Sequence, residues 1–129
     1  MPEKVLTAIK YYYMRERIRD KERLEHILAA IDVLLDGSKR YTVEHAEKDS
    51  IIFYGFVKQV EIIGEATYML TKEFRDSHPD VEWDVIEGMR HVLVHGYYAI
   101  TPHKVWRVIT NDLPTLRPLI EKYIREQSE

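Results

Sequence analysis

Arg90, His91, His95 and Tyr97 crowd into the short stretch RHVLVHGYY, residues 90–98. Arginine stays charged and can grip a phosphate through two parallel hydrogen bonds. Histidine titrates near neutrality, so an imidazole can take a proton and later return it. Such a group suits cleavage of RNA without a metal. A base deprotonates the ribose 2′-hydroxyl, the freed oxygen attacks the adjacent phosphorus, and the arginine stabilises charge building on the phosphate oxygens. The expected product ends in a 2′,3′-cyclic phosphate, and DNA, lacking the hydroxyl, does not react.

Each of these residues also has a plainer use. A mid-helix arginine is commonly solvated or half of a salt bridge, a histidine packs or caps, and Tyr97 and Tyr98 can close a bundle with their rings. His91 and His95 are four apart and share one helical face. Two histidines are not a metal site, and a third ligand such as His103 has to arrive from the next helix. Arg90 and His95 are five apart, about 140° around an ideal helix. They converge only if the helix ends or distorts near Gly96, or if a second chain completes the site.

The elements that must position these groups read as helical throughout, because apolar residues recur three and four apart and no two-residue alternation is sustained. One helix is expected from about Asp20 to Asp36, carrying Leu24, Ile27, Leu28, Ile31, Leu34 and Leu35, with Asp20 as its cap and Gly37 as its stop. A second is expected from about Val43 to Phe74, with a stripe of Ile52, Phe56, Val60, Ile63, Thr67 and Leu70. Gly55 and Gly64 inside it each cost about 1 kcal/mol relative to alanine, and imply close packing or tolerated weakness. Residues 77–80 form a loop, and Asp80 or a neighbour can cap a third helix, in which Trp83, Val85, Ile86, Met89, Val92 and Leu93 pack before Gly96 terminates it. Thr101-Pro102 is a helix start leading into Val105, Trp106 and Ile109, and residues 111–114 mark a further boundary. A last helix runs to about Arg125 with Leu116, Leu119, Ile120 and Tyr123 inward. The fold class expected is all-α, an antiparallel up-and-down bundle of four to five helices.

Residues 1–13 read as an N-terminal extension, either a short extra helix or a loose segment, with the domain proper spanning 14–129 and Met14 as an alternative start. Arg15, Arg17, Arg19, Lys21 and Arg23 alternate with Glu16, Asp20, Glu22 and Glu25. That is the pattern of a solvated helix face, with a contribution to RNA binding as the competing reading.

The chain has 129 residues, enough for one domain. It has no cysteine, which excludes disulfides, thiolate metal sites and a cysteine nucleophile. A net charge of −3 argues against nonspecific coating of nucleic acid, though not against a local basic cleft. No run is long and apolar enough for a membrane span and no signal-peptide pattern opens the sequence, so the cytoplasm is the expected location.

The stretch RHVLVHGY resembles the Arg-polar-x3-His-x-Tyr motif of the HEPN superfamily, specifically the HepT-like ribonuclease toxins. IRDKERLEHILAAI at 18–31, VEIIGEA at 60–66, HPDVEWDVIEGMRHVLVHGYY at 78–98 and HKVWRVITNDLPTLRPLIEKYI at 103–124 resemble the same family in order. The resemblance implies a helical bundle that forms a homodimer or higher oligomer, with the cleft where two motif helices meet. It implies a metal-independent endoribonuclease, needing no cofactor, in a type VII-like toxin–antitoxin pair. The implied partner is an MntA-like nucleotidyltransferase that neutralises the toxin by transferring AMP to the motif tyrosine. Carried over, Arg90 and His95 match the catalytic pair and Tyr97 the modified tyrosine. His91 holds the polar position, most often asparagine in near relatives, and either orients the site or shares in proton transfer. Glu65 either helps arrange the cleft or serves the second helix structurally. The competing function is a non-catalytic subunit of a nucleotidyltransferase complex, in which the same residues bind a nucleotide or the partner.

Overall fold

Leu24, Ile27, Ile31 and Leu34 are each at most 1% exposed, and they form the buried stripe of α1, Glu3–Arg40. The computed structural model describes residues 3–128, apart from the side chains of residues 9, 11–19 and 97. After α1 come α2 (Val43–Lys48), α3 (Ser50–Tyr68), α4 (Lys72–Ser77), α5 (Trp83–His95), α6 (Pro102–Arg107) and α7 (Leu113–Ser128). A 3-10 turn, Tyr97–Ala99, follows α5, and a π-helical turn, Val108–Asp112, joins α6 to α7. Among the described residues there is no strand, and the fold is the all-α bundle the periodicity predicts. No helix of the described residues is long and apolar enough to cross a membrane.

α3 packs between α1 and α5, and α7 lies against α1. Phe56, Val60 and Ile63 from α3, Val105, Ile109 and Leu113 from the α6–α7 region, and Ile120 and Tyr123 from α7 join the α1 stripe in one core. Each large side chain so buried contributes about 1.5–3 kcal/mol. Ile52, Leu28 and Leu35, read as inward, lie partly buried at the edge of this core.

Several expected boundaries move, each for an identifiable reason. α1 is one continuous helix from Glu3, so the segment from Glu3 to Tyr13 is not a separate helix, and the start expected at Asp20 is absent. Asp20 is instead buried in mid-helix, where its carboxylate accepts hydrogen bonds from Thr71 N at 2.9 Å and Thr71 Oγ1 at 2.7 Å. Thr71 in turn caps α4, its Oγ1 accepting from Phe74 N at 3.1 Å. Gly37 does not stop α1, which continues to Arg40. It makes room instead, since a Cβ there would lie 3.0 Å from Phe56 Cζ.

The single helix expected from Val43 to Phe74 is three helices. Asp49 breaks the first junction with an extended backbone, φ −130°, ψ 108°, and its carboxylate accepts from Ile51 N and Ile52 N to start α3. Thr71 starts α4 in the same way. The Thr101-Pro102 start of α6 forms as expected, with Thr101 accepting from Lys104 N. The boundary expected at residues 111–114 becomes the π turn, in which Leu113 N bonds Val108 O. The extra residue lets the chain continue although Pro114 has no N–H to give.

Candidate functional site

Arg90 sits on the face of α5 that meets α3, and the two backbones approach closely there. A Cβ on Gly64 would lie 2.9 Å from Arg90 Cβ and 3.2 Å from Arg90 N. Of the two α3 glycines, Gly64 is therefore a packing requirement. Gly55 is not, since a Cβ there meets nothing within 4 Å. The close approach brings the Arg90 side chain onto two residues of α3 that lie three apart on one helical face. Its Nε donates to Glu65 Oε2, and its guanidinium carbon lies 4.6 Å from the centre of the Tyr68 ring. The carboxylate and the aromatic face fix the guanidinium from two sides. Its Nη groups make no hydrogen bond among the described residues, and the side chain is 37% exposed. Arg90 is thus held in place with donors to spare.

His91 and His95 lie away from this cradle. Both are exposed, their rings 4.6 Å apart between centroids and tilted by 48°. α5 runs without interruption from Trp83 to His95 and ends at Gly96, whose N–H bonds Val92 O at 2.7 Å. The helix does not distort between Arg90 and His95, and no contact joins the two side chains among the described residues. Of the two ways they could converge, local distortion is removed. Tyr97 opens the 3-10 turn beyond Gly96, and its side chain lies outside the described residues. Tyr98 beside it is 82% exposed.

Val85 and Val92, expected to pack inward, are 61% and 51% exposed. With Gly88, where a Cβ would meet no atom within 4 Å, they lie on the outward side of α5 that also carries His95. The inward side is kept by Trp83, Ile86, Met89 and Leu93. α5 is pinned mainly in its first half. Trp83 is buried and its indole N–H donates to His78 O at 2.8 Å, and Arg75 pairs with Glu87 at 2.8 Å. Its last turn carries exposed His91, Val92, Val94 and His95.

His103 does not join His91 and His95. It pairs with Glu47 at 3.0 Å, and among the described residues no group of three or more histidine or acidic side chains is placed to hold a metal ion. Glu65, flagged for either cleft or helix, places its carboxylate on Arg90. Tyr68 was not legible as a site residue, although its spacing from Glu65 was a signal. Arg23 does not lie on a fully solvated face: it is half-buried and lines a groove of about 480 Å³ that also contains Glu65 and Arg90. The side chains of Arg15, Arg17 and Arg19 from the same basic cluster lie outside the described residues.

Against known proteins, the ribonuclease HepT-like family profile matches residues 22–123. A protein of Caldanaerobacter subterraneus subsp. tengcongensis named "Putative RNase TTE0752" is 36% identical over 104 residues, covering 81% of this chain and 93% of its own length. "Probable ribonuclease HepT" of Thermococcus cleftensis is 28% identical, covering 79% of this chain and 93% of its own. "Putative RNase MJ1380" of Methanocaldococcus jannaschii is 28% identical with coverages of 78% and 93%. No solved structure is significantly similar to this chain.

Proposed function

The chain belongs to the HepT-like ribonuclease family, and we propose that it is a metal-independent endoribonuclease toxin of a type VII-like toxin–antitoxin pair, acting in the cytoplasm. The observation that carries this reading is the Arg90 cradle. Glu65 and Tyr68 hold the guanidinium while its Nη donors stay available for a phosphate. In the proposed reaction His95 takes the proton of the ribose 2′-hydroxyl and the freed oxygen attacks phosphorus. The 5′-oxygen then leaves and takes up a proton, giving a 2′,3′-cyclic phosphate and a 5′-hydroxyl. His91, beside His95, supplies a second titratable ring for the proton that the leaving oxygen needs. Arg90 steadies the charge on the phosphate oxygens.

Because α5 is regular between Arg90 and His95, the pair is completed by a second copy in this reading. The outward side of α5, with Val85, Gly88 and Val92, is the surface two copies would share, and glycine at its centre allows two helices to approach closely. The proposed partner is an MntA-like nucleotidyltransferase that transfers AMP to Tyr97. That residue lies just past the end of α5, and adenylylation there would add bulk and negative charge beside the phosphate clamp.

Two measurements test the proposal. In the presence of a chelator, the unmodified protein should cut RNA to cyclic-phosphate ends, and His95→Ala should lower the rate by about 10²–10⁴. A rate near wild type for His95→Ala removes it from acid–base work. With the partner and ATP, intact mass should rise by AMP units and the gain should vanish in Tyr97→Phe. No gain with a demonstrably active partner would end the adenylylation scheme.

A further inference from the structure

The groove beside Arg90 holds more positive charge than the cleavage step uses. It is lined by Arg23 and His26 from α1, Lys58, Glu61 and Glu65 from α3, and Arg90 from α5. Its volume of about 480 Å³ falls within the roughly 300–1,000 Å³ of ligand pockets. Two of its cations are already matched: Arg90 by Glu65 and Lys58 by Glu61, the latter at 3.5 Å. Arg23 is not, and the His26 ring beside it also lacks a partner among the described residues. Neither makes a hydrogen bond or ion pair with its side chain among the described residues, and Arg23 Nε is shut off from solvent without an acceptor. A donor left in this condition is unfavourable unless something supplies the missing charge or acceptor. Arg23 and His26 are three apart on α1, so both face the groove from the same side. Ile62 and Ala66 from α3 line it between the charged groups, apolar surface on which a ribose or base can rest.

We propose that this groove binds the phosphodiester next to the one cleaved, with Arg23 as its principal ligand, His26 beside it and Lys58 at the rim. The inference rests on the ribonuclease reading for the identity of its ligand, and it adds a substrate subsite to it. A strand that places its reacting phosphate at Arg90 then continues toward α1. The Arg23 guanidinium offers a fork that matches phosphate oxygens, and among the described residues no carboxylate is paired with it. Substrate selection by a chain of net charge −3 would follow from this local track rather than from long-range attraction.

The test separates binding from cleavage by using a single-stranded DNA oligonucleotide, which keeps the phosphates but lacks the reacting hydroxyl. Its affinity for the full chain is measured across a salt series, and RNA cleavage is measured in parallel. Arg23→Gln should weaken DNA binding about tenfold, the loss of one charge-assisted contact, and reduce the slope of log K against log salt by about 0.7. Arg23→Lys should restore most of the slope, which a purely structural role for the guanidinium would not produce. Lys58→Gln alters a side chain that is 64% exposed, so it reads the same slope without endangering the fold. If Arg23→Gln and Lys58→Gln bind with wild-type affinity and slope while Arg90→Gln does not, the subsite is wrong and the nuclease reading stands. If the slopes fall as expected but wild type cuts no RNA, the groove is a nucleic-acid phosphate site and the nuclease reading fails.

Discussion

Gly64→Ala should destabilise the protein and Gly55→Ala should stabilise it, although both replace a glycine in the interior of α3 by the best helix former. The propensity gain is about 1 kcal/mol at either position. At Gly55 nothing opposes it, because the new methyl meets no atom within 4 Å. At Gly64 the methyl would sit 2.9 Å from Arg90 Cβ, against an optimal carbon–carbon separation of about 3.5–4.0 Å. The backbone N and Cα of Arg90, at 3.2 and 3.3 Å, cannot rotate away, so α5 has to move outward by something under about 1 Å. Overpacking of this kind costs about 1–3 kcal/mol. The net change is about 0–2 kcal/mol of destabilisation for Gly64→Ala, and the two variants should differ by about 1–3 kcal/mol. In thermal unfolding at one protomer concentration, that difference corresponds to about 3–10 °C. The same displacement carries Arg90 off Glu65 and Tyr68, so RNA cleavage should fall by up to about 10² in Gly64→Ala and stay near wild type in Gly55→Ala. If Gly64→Ala is instead stabilised as much as Gly55→Ala and cuts RNA at the same rate, the Gly64 crossing does not hold Arg90 in place.

Asp20→Ala should cost about 2–4 kcal/mol, because it strips two hydrogen bonds to a buried carboxylate and leaves Thr71 N and Oγ1 without acceptors. Urea unfolding measures it, with Asp20→Asn expected to recover part of the loss; a change within about 0.5 kcal/mol would show that the tie is not structural. Tyr123 is buried against Phe74, His78 and Trp83, and burial, helped by the negative charges of Asp80 and Glu126, raises its pKa above the ordinary value of 10. A phenol with a raised folded pKa contributes stability that is fully present below the unfolded pKa and is lost as pH rises through the folded one. Unfolding free energies measured above about pH 9 should therefore fall less steeply in Tyr123→Phe than in wild type, and parallel curves would remove Tyr123 from the alkaline limb.

Periodicity identified the buried stripe of α1 but not which residue of another helix each position meets. Leu24, Ile27, Ile31 and Leu34 were legible for that reason, since a three-and-four spacing depends on one segment alone. Asp20 was misplaced because an acidic residue before an apolar run reads as a cap. Its actual partner, Thr71, is 51 positions away, and only the antiparallel register of α1 and α3 brings them together. Asp49 and Thr71 carried the local signal of helix starts, but the apolar stripe runs on through both junctions and favoured one long helix. At the site, the motif spacing singled out Arg90, His91 and His95. It did not give Arg90 its companions, because the Tyr68 ring and the Glu65 carboxylate reach it only across the Gly64 crossing. Val85 and Val92 were read as core because they are apolar. Their exposure reflects a helix with apolar residues on two sides, a pattern that composition does not divide into inside and outside.

The uneven anchoring of α5 has a consequence for how the helix opens. Backbone amides exchange with solvent through local fluctuations whose cost grows with the buried contacts that must be released. In the first half, the Trp83 indole and the Arg75–Glu87 pair fasten the helix; in the last turn, four of five side chains from His91 to His95 are exposed. Fraying from Gly96 backward therefore releases little packing until it reaches Arg90, where the α3 crossing halts it. The amides of the histidine segment should therefore exchange faster than those around Arg90, so one short helix sets its exposed histidines on a yielding end and its arginine on a firm one.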